Sequence, residues 1–429
     1  MAIILLLGTF AVGLVLGIPV AVAMLVASIL NVLYLQATGM PLPSVIVSER
    51  MLSSINSFPL LAVPFFIFAG VIMNRAGLTA QLVNVSRAFV GHFRGGTAQC
   101  NVLASIFFSG ISGSASADAA AIGSMLIPSM KREGYPPGFA VGITAASATI
   151  GPIIPPSIVM IIYGTMTNLS IGALFLAGVV PGFLIGIALM ATVALMSRAR
   201  GFPRLPRTPW RERACICWRA LPALFAPLII LGGIISGLYT ATEAGVIACV
   251  YGLAVGLLVY RKMGVRDLPA LLAEAVETTA IPVFILAAAS IFGWLLTFHG
   301  FGRQVVGAFE SLSLPPTGML LALVVMLLVI GLFLEGLAAL IIFVPVFMPL
   351  IPAFGFDPLH FALIIIVTIL IGTVTPPVGL QLYIAAAIGG TRLQEVVIWP
   401  FVFSMIAVVF LMVLVPGLTT FLPRAFGFG

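Results

Sequence analysis

Gly151-Pro152-Ile153-Ile154-Pro155-Pro156 and, 221 positions later, Gly372-Thr373-Val374-Thr375-Pro376-Pro377 are the two stretches whose reading decides the fold. Each interrupts an apolar run otherwise long enough to cross a bilayer, about 138–166 and about 359–389. Proline removes a backbone donor and clashes with the preceding turn, so a helix through either stretch is expected to break. The same offset brings Gly110 onto Gly331, Pro128 onto Pro349, Gly134 onto Gly355 and Pro137 onto Pro358. Every matched residue is Gly or Pro, the types that set backbone shape. The chain therefore reads as an internal repeat.

A second interrupted segment precedes each broken span. Residues 97–130 are apolar but broken by Ser109-Gly110-Ile111-Ser112-Gly113-Ser114-Ala115-Ser116, and 317–352 are broken around Phe333-Leu334-Glu335-Gly336. The arms are short against the roughly 20 residues a transmembrane helix needs. Both read as re-entrant helical hairpins, whose irregular tips are tolerated at membrane depth only where protein or water satisfies the backbone.

Composition agrees. Of 429 residues, 62% are apolar and 7% charged, with mean hydropathy +1.27. A soluble domain is about 45–50% apolar and about 25% charged, so composition argues against soluble enzymes, nucleic-acid binders and disulfide scaffolds. The chain reads as an all-α polytopic membrane protein in a lipid bilayer. The four cysteines, including Cys215-x-Cys217, read as reduced thiols. The N-terminus lacks the basic region of a signal peptide, so the first segment is expected to be retained.

Residues 2–36 are too long for one span, and Gly17-Ile18-Pro19 is expected to divide them into two helices. An interfacial amphipathic helix is expected at 42–56, a span at 58–75, and a basic arm carrying Arg87, His92 and Arg94. Further spans read at 171–197, 220–238, 242–260, 279–297 (led in by an amphipathic piece, 265–277) and 396–417. The linker 198–219 holds seven arginines against Glu212 alone, which places it in the cytoplasm. Five crossings separate the two hairpins, so the repeats should be inverted. Residues 1–197 form the first repeat, 198–219 the linker and 220–429 the second repeat. Inverted repeats with broken helices at the midplane are a transporter layout.

The tips carry the candidate chemistry. Serine hydroxyls and unwound carbonyls are hard oxygen donors suited to an alkali cation. A first sodium site reads from Ser112, Gly113, Ser114, Gly151, Ile154 and Pro155. A second reads from Gly331, Phe333, Gly336, Gly372, Thr373 and Thr375, with Phe333 offering only its carbonyl. Close helix packing through small residues is the alternative account of both. Substrate would lie between the tips, where half-helix N-termini suit a carboxylate. Its candidate contacts are Ser116, Ser157, Tyr163, Glu335 and Gln381. No Arg or Lys lies within either hairpin or broken span. The intramembrane acids Asp118 and Glu335 are functional candidates, and Glu243 reads as a capping acid. His92, His299 and His360 fit no metal or triad pattern, and no phosphate-binding P-loop is present. No catalytic residue is assigned.

These residues resemble a known family. Phe107-Phe108-Ser109-Gly110-Ile111-Ser112-Gly113-Ser114, Gly151–Ser157, Gly237-Leu238-Tyr239-Thr240-Ala241-Thr242-Glu243-Ala244 and Gly372–Gly379 look like the large, DctM-like membrane subunit of tripartite ATP-independent periplasmic (TRAP) transporters. The resemblance covers nearly the whole chain. It departs at Ala241, where the family often has Pro. It implies sodium-coupled uptake of an organic acid across the bacterial inner membrane, through an elevator motion of the ion-transporter-superfamily kind. It also implies a periplasmic substrate-binding protein and a small four-helix membrane subunit, expected as a separate chain. A stand-alone sodium- or proton-coupled carboxylate symporter of related fold is the alternative. A membrane-embedded enzyme or channel is a more distant one.

Overall fold

The computed structural model describes residues 1–40, 42–377 and 379–428, and among these every regular element is helical. Val378, in the last quoted motif, lies outside the described residues. Helices α1 (Ala2–Val15) and α2 (Val20–Ala37) form the expected pair, turning at Gly17 with φ 76°. Asn31 Nδ2 donates to the Ala2 carbonyl at 2.7 Å, so the start of α1 lies beside the far half of α2. The surface helix α3 (Ile46–Ile55) buries none of its residues. The span α4 (Ala62–Arg75) and the arm α5 (Leu78–Val90) follow.

The first hairpin is α6 (Gly96–Ser112) and α7 (Ala115–Arg132), and the first broken span is α8 (Pro137–Ala148) and α9 (Ile158–Thr167). Next come α10 (Ile171–Arg200), α11 (Trp210–Ile235), α12 (Ala241–Ala254), α13 (Leu268–Phe298) and α14 (Phe301–Glu310). The second hairpin is α15 (Pro316–Gly331) and α16 (Gly336–Phe347), closed by α17 (Leu350–Phe354). The second broken span is α18 (Pro358–Gly372) and α19 (Leu380–Gly389), and α20 (Trp399–Leu414) and α21 (Gly417–Ala425) end the chain. Both tips and both breaks fall where the Gly and Pro residues stand. The Pro155–Pro156 and Pro376–Pro377 bonds are both cis. Among the described residues, six helices are long and apolar enough to cross a membrane, or seven spans if α20 and α21 count as one.

Four features differ from expectation. The non-helical linker narrows to residues 201–209, because α11 already begins at Trp210. Helix α10 stops at Gly201 with φ 67°, and Pro203, Pro206 and Pro209 hold the chain out of helix until α11 starts. The piece 265–277 and the span 279–297 fuse into one helix, α13, which carries Pro282 inside it. The last span is bent by 64° between α20 and α21. Val415, forced from α geometry by Pro416, has φ −126° and ψ 80°. Helix α14 was not foreseen.

Helix α10, about 45 Å long at 1.5 Å per residue, gives the molecule two ends. Gly172 at its start lies beside Phe428 and Ile234, and Ser197 near its finish lies against Gly95. The base of the first hairpin is at the Ser197 end. There the Pro203 carbonyl accepts from Gly96 N at 3.3 Å and Leu205 N donates to Gly91 O at 3.0 Å. The base of the second hairpin is at the other end, where Arg424 Nη2 donates to Asp357 Oδ2 at 3.2 Å. Between the ends the halves interlock: α19 packs on α7 and α8, while α9 packs on α16. Lys131 Nζ closes the end of α19 by donating to Gly389 O at 2.9 Å. Asn101 of α6, fully buried, donates to Thr144 Oγ1 and accepts from Ser147 Oγ, both at 2.7 Å, joining α6 to α8.

The expected cytoplasmic placement of the linker has a direct check. A cysteine at exposed Arg207, in a Cys215→Ser/Cys217→Ser background, should react with a membrane-impermeant maleimide only in inverted vesicles. Reaction in right-side-out cells would reverse the topology.

Candidate functional site

The first tip is built by a left-handed glycine. Gly113, with φ 60°, ends α6, and Ser114 in extended geometry starts α7. A Cβ on Gly113 would stand 2.5 Å from the Pro156 carbonyl oxygen, so only glycine lets the tip lie on the break of the first span. Ser112 Oγ donates to Asp118 Oδ1 at 2.5 Å, and the Ser114 and Ser116 hydroxyls are 3.1 Å apart. Asp118 is fully buried, and its Oδ2 has no hydrogen-bond partner. A Cβ on Gly151 would meet that oxygen at 2.8 Å. Ser112 and Gly151 thus converge on one buried carboxylate. The Pro155 carbonyl lies by Gly110, and the Ile154 side chain turns away to pack on Gly182 of α10.

The second tip is made differently. Gly331 and Gly372 touch backbone to backbone: a Cβ on either would lie within 2.7 Å of the other's Cα. Gly336 abuts the Thr373 methyl. Thr373 Oγ1 donates to Leu370 O at 2.7 Å and Thr375 Oγ1 to Ile371 O at 2.9 Å, which leaves their lone pairs free. The Phe333 side chain is 63% exposed. Glu335 caps α16, accepting from Ala338 N at 3.0 Å.

Between the tips lies a cavity of about 1190 Å³. Ser112, Gly113, Ser114 and Ser116 face it from the first hairpin, and Glu335, Gly336, Thr373 and Gln381 from the second half. Gln381 is 4% exposed, and its Oε1 has no partner. Two substrate candidates are not on the cavity wall. Ser157 is a helix cap, accepting from Met160 N and donating to Pro152 O. Tyr163 is wholly buried in the core, its hydroxyl unpartnered. In their place Asn74 of α4, Ser124 of α7, and Glu274 and Thr278 of α13 complete the wall. The only sequence signal for Glu274 was an acid in a helix entering the membrane. Among the described lining residues there are two acids and no Lys or Arg. Glu243, read as a capping acid, closes a capping box with Thr240.

The family described as Tripartite ATP-independent periplasmic transporter, DctM component, matches residues 7–418. The sialic acid TRAP transporter large permease protein of Vibrio cholerae is 37% identical over 416 residues, 96% of each chain. The C4-dicarboxylate TRAP transporter large permease protein of Pseudomonas aeruginosa is 39% identical, covering 88% of this chain and 89% of that one. The 2,3-diketo-L-gulonate TRAP transporter large permease protein of Escherichia coli is 34% identical over 97% and 98%. The crystal structure of the Alcanivorax borkumensis YdaH transporter shares the fold, with TM-score 0.63 over 88% of each chain at 14% identity. With the DctM match running through both hairpins and both broken spans, the chain belongs to the DctM component family of tripartite ATP-independent periplasmic transporters, as a multi-pass permease of the bacterial inner membrane and not an enzyme.

Proposed function

We propose that this chain carries an organic acid across the inner membrane together with sodium. The observation that carries the reading is the meeting of two interrupted helix pairs on one cavity with no Lys or Arg among its described lining residues. An organic anion there needs positive compensation. Half-helix N-termini supply part of it, and co-bound cations the rest. The first site offers the Ser112 and Ser114 hydroxyls, the carbonyls around Gly151, Ile154 and Pro155, and the Asp118 charge. The second offers the Thr373 and Thr375 hydroxyls with the carbonyls of Gly331, Phe333, Gly336 and Gly372. The substrates in the names of these three relatives are an acidic sugar, dicarboxylates and a sugar acid; a carboxylate is their common group. Ser116, Glu335 and Gln381 are placed to contact it.

The inverted-repeat reading is supported by the two hairpin bases lying at opposite ends of α10. The interlock of α19 with α7 and α8 makes hairpins and broken spans one body. That body would move as an elevator against the frame in which α13 packs on α2 and α4 and α12 packs on α4. The cavity reaches Glu274, two turns beyond the basic loop at Arg266, so this state opens toward the cytoplasm. A small membrane subunit and a periplasmic substrate-binding protein are the partners, as the family description and the relatives' names suggest.

The test is the thermal stability of the purified chain in sodium against potassium or choline at equal ionic strength. A ligand that binds only the folded state stabilises by about 2.7 kcal/mol at a hundredfold excess over Kd. A sodium-specific rise, reduced in Ser114→Ala and in Thr373→Ala, is expected. If both variants keep the full sodium response, the two sites as drawn are wrong.

A further inference from the structure

The largest concentration of charge in the chain lies outside the transport cavity. Residues 198–219 carry seven arginines with Glu212 as the only acid. The fold gathers part of this run against a second element. Backbone hydrogen bonds from Leu205 N to Gly91 O and from Gly96 N to Pro203 O pin the linker onto the loop between α5 and α6. The stretch carrying Arg204 is thereby set against the loop that carries His92 and Arg94. Arg207 and Arg213 lie near enough for their charges to act on His92, and Arg211 stands between them in sequence at the start of α11. None of these arginines is in an ion pair with a carboxylate among the described residues. The Arg213 guanidinium lies 6.0 Å from the Phe89 ring centroid, with its Nε buried and unpartnered. His92 Nδ1 is also buried without a partner. Partial burial and the charges of Arg207 and Arg213 hold His92 below the usual imidazole range, as expected where several cations share one field.

An uncompensated cluster of guanidinium groups calls for an anion, and its surroundings select which one. Trp210 and Trp218 stand 77% and 75% exposed on the first turns of α11, and Leu221, Phe225 and Leu228 continue an outward apolar face beyond them. Phe89 and Phe93 are exposed on the α5 side. Exposed tryptophans mark the headgroup level of a bilayer. Clusters of arginine immediately cytoplasmic of a membrane helix hold anionic headgroups. A free phosphate would use the guanidinium groups but not this apolar border.

The geometry points to an anionic phospholipid site at the linker, in which Arg94, Arg204, Arg207, Arg211 and Arg213 hold a phosphodiester headgroup while Trp210, Trp218 and Phe89 face its glycerol and acyl chains. It rests on the cytoplasmic placement of the linker and not on the identity of the transported acid. Because the linker is pinned to the base of the first hairpin, occupancy would steady that base, and lipid binding should register as thermal stability.

The purified full chain in detergent is titrated with dihexanoyl-phosphatidylglycerol, with dihexanoyl-phosphatidylcholine, and with inorganic phosphate, following melting and native mass. Phosphatidylglycerol alone should raise the melting temperature and remain bound. The triple variant Arg204→Gln/Arg207→Gln/Arg213→Gln should weaken that binding by on the order of a hundredfold. Arg261→Gln/Arg266→Gln, on another basic loop, should leave it unchanged. Equal stabilisation by phosphatidylcholine would overturn the proposal, as would an equal effect of phosphate alone. So would a triple variant that keeps wild-type affinity for phosphatidylglycerol.

Discussion

Gly372→Val is expected to abolish uptake and to lower the melting temperature, while Gly232→Val does neither. The Cβ of any residue at 372 would lie 2.6 Å from Gly331 Cα and 2.9 Å from its carbonyl carbon. Both obstacles are backbone, so no rotamer change relieves them, and α15 must part from α18. Overpacking that a core can accommodate costs about 1–3 kcal/mol. A fixed backbone contact belongs at or above the top of that range. Parting the two helices would also displace the Gly331 and Gly372 carbonyls of the second proposed cation site. At Gly232 nothing stands within 4 Å of an added Cβ, so the control tests valine in a helix without the clash. Side-by-side melting and uptake in reconstituted vesicles is the measurement. Wild-type behaviour of Gly372→Val would mean that this contact does not govern the second half.

Asp118→Asn is the second large effect. The amide keeps an acceptor for Ser112 and nearly the same volume, so the hairpin should still fold. With a cation bound, what changes is charge, at a fully buried carboxylate whose Oδ2 faces Gly151 without a partner. If a cation sits there, removing its partner costs on the order of 3–5 kcal/mol, or roughly a hundredfold or more in sodium affinity. The sodium activation curve of uptake should therefore move to much higher concentration, with melting in sodium-free buffer little changed. The opposite pattern, an unmoved sodium curve and a large loss of sodium-free stability, would make Asp118 a brace for Ser112 and nothing more.

The two halves are alike in sequence where they are least alike in contact. Gly110 and Gly331 are repeat-related, as are Gly151 and Gly372. Yet Gly331 and Gly372 touch each other, while Gly110 meets the Pro227 ring and Gly151 meets Asp118. A repeat of Gly and Pro marks where backbone must bend or approach closely. It does not say which neighbour approaches. The same limit applies to the cavity wall. Ser116, Glu335 and Gln381 reach it, as expected of residues beside a broken tip. Ser157 and Tyr163 follow the first break, but one is taken by helix capping and the other faces the core.

The sequence by itself determined the class, the hairpins and the breaks. Composition bounds burial, and proline and glycine act on their own turn, so their effects are local and legible. The tertiary structure alone decided that α13 runs unbroken and presents Glu274 and Thr278 to the cavity, and that α19 crosses to pack on α7 and α8. It alone also brought the arginine linker against the loop at Gly91. Each of these depends on residues far apart in the chain meeting in space, and no local propensity encodes which face of a uniformly apolar helix meets which neighbour.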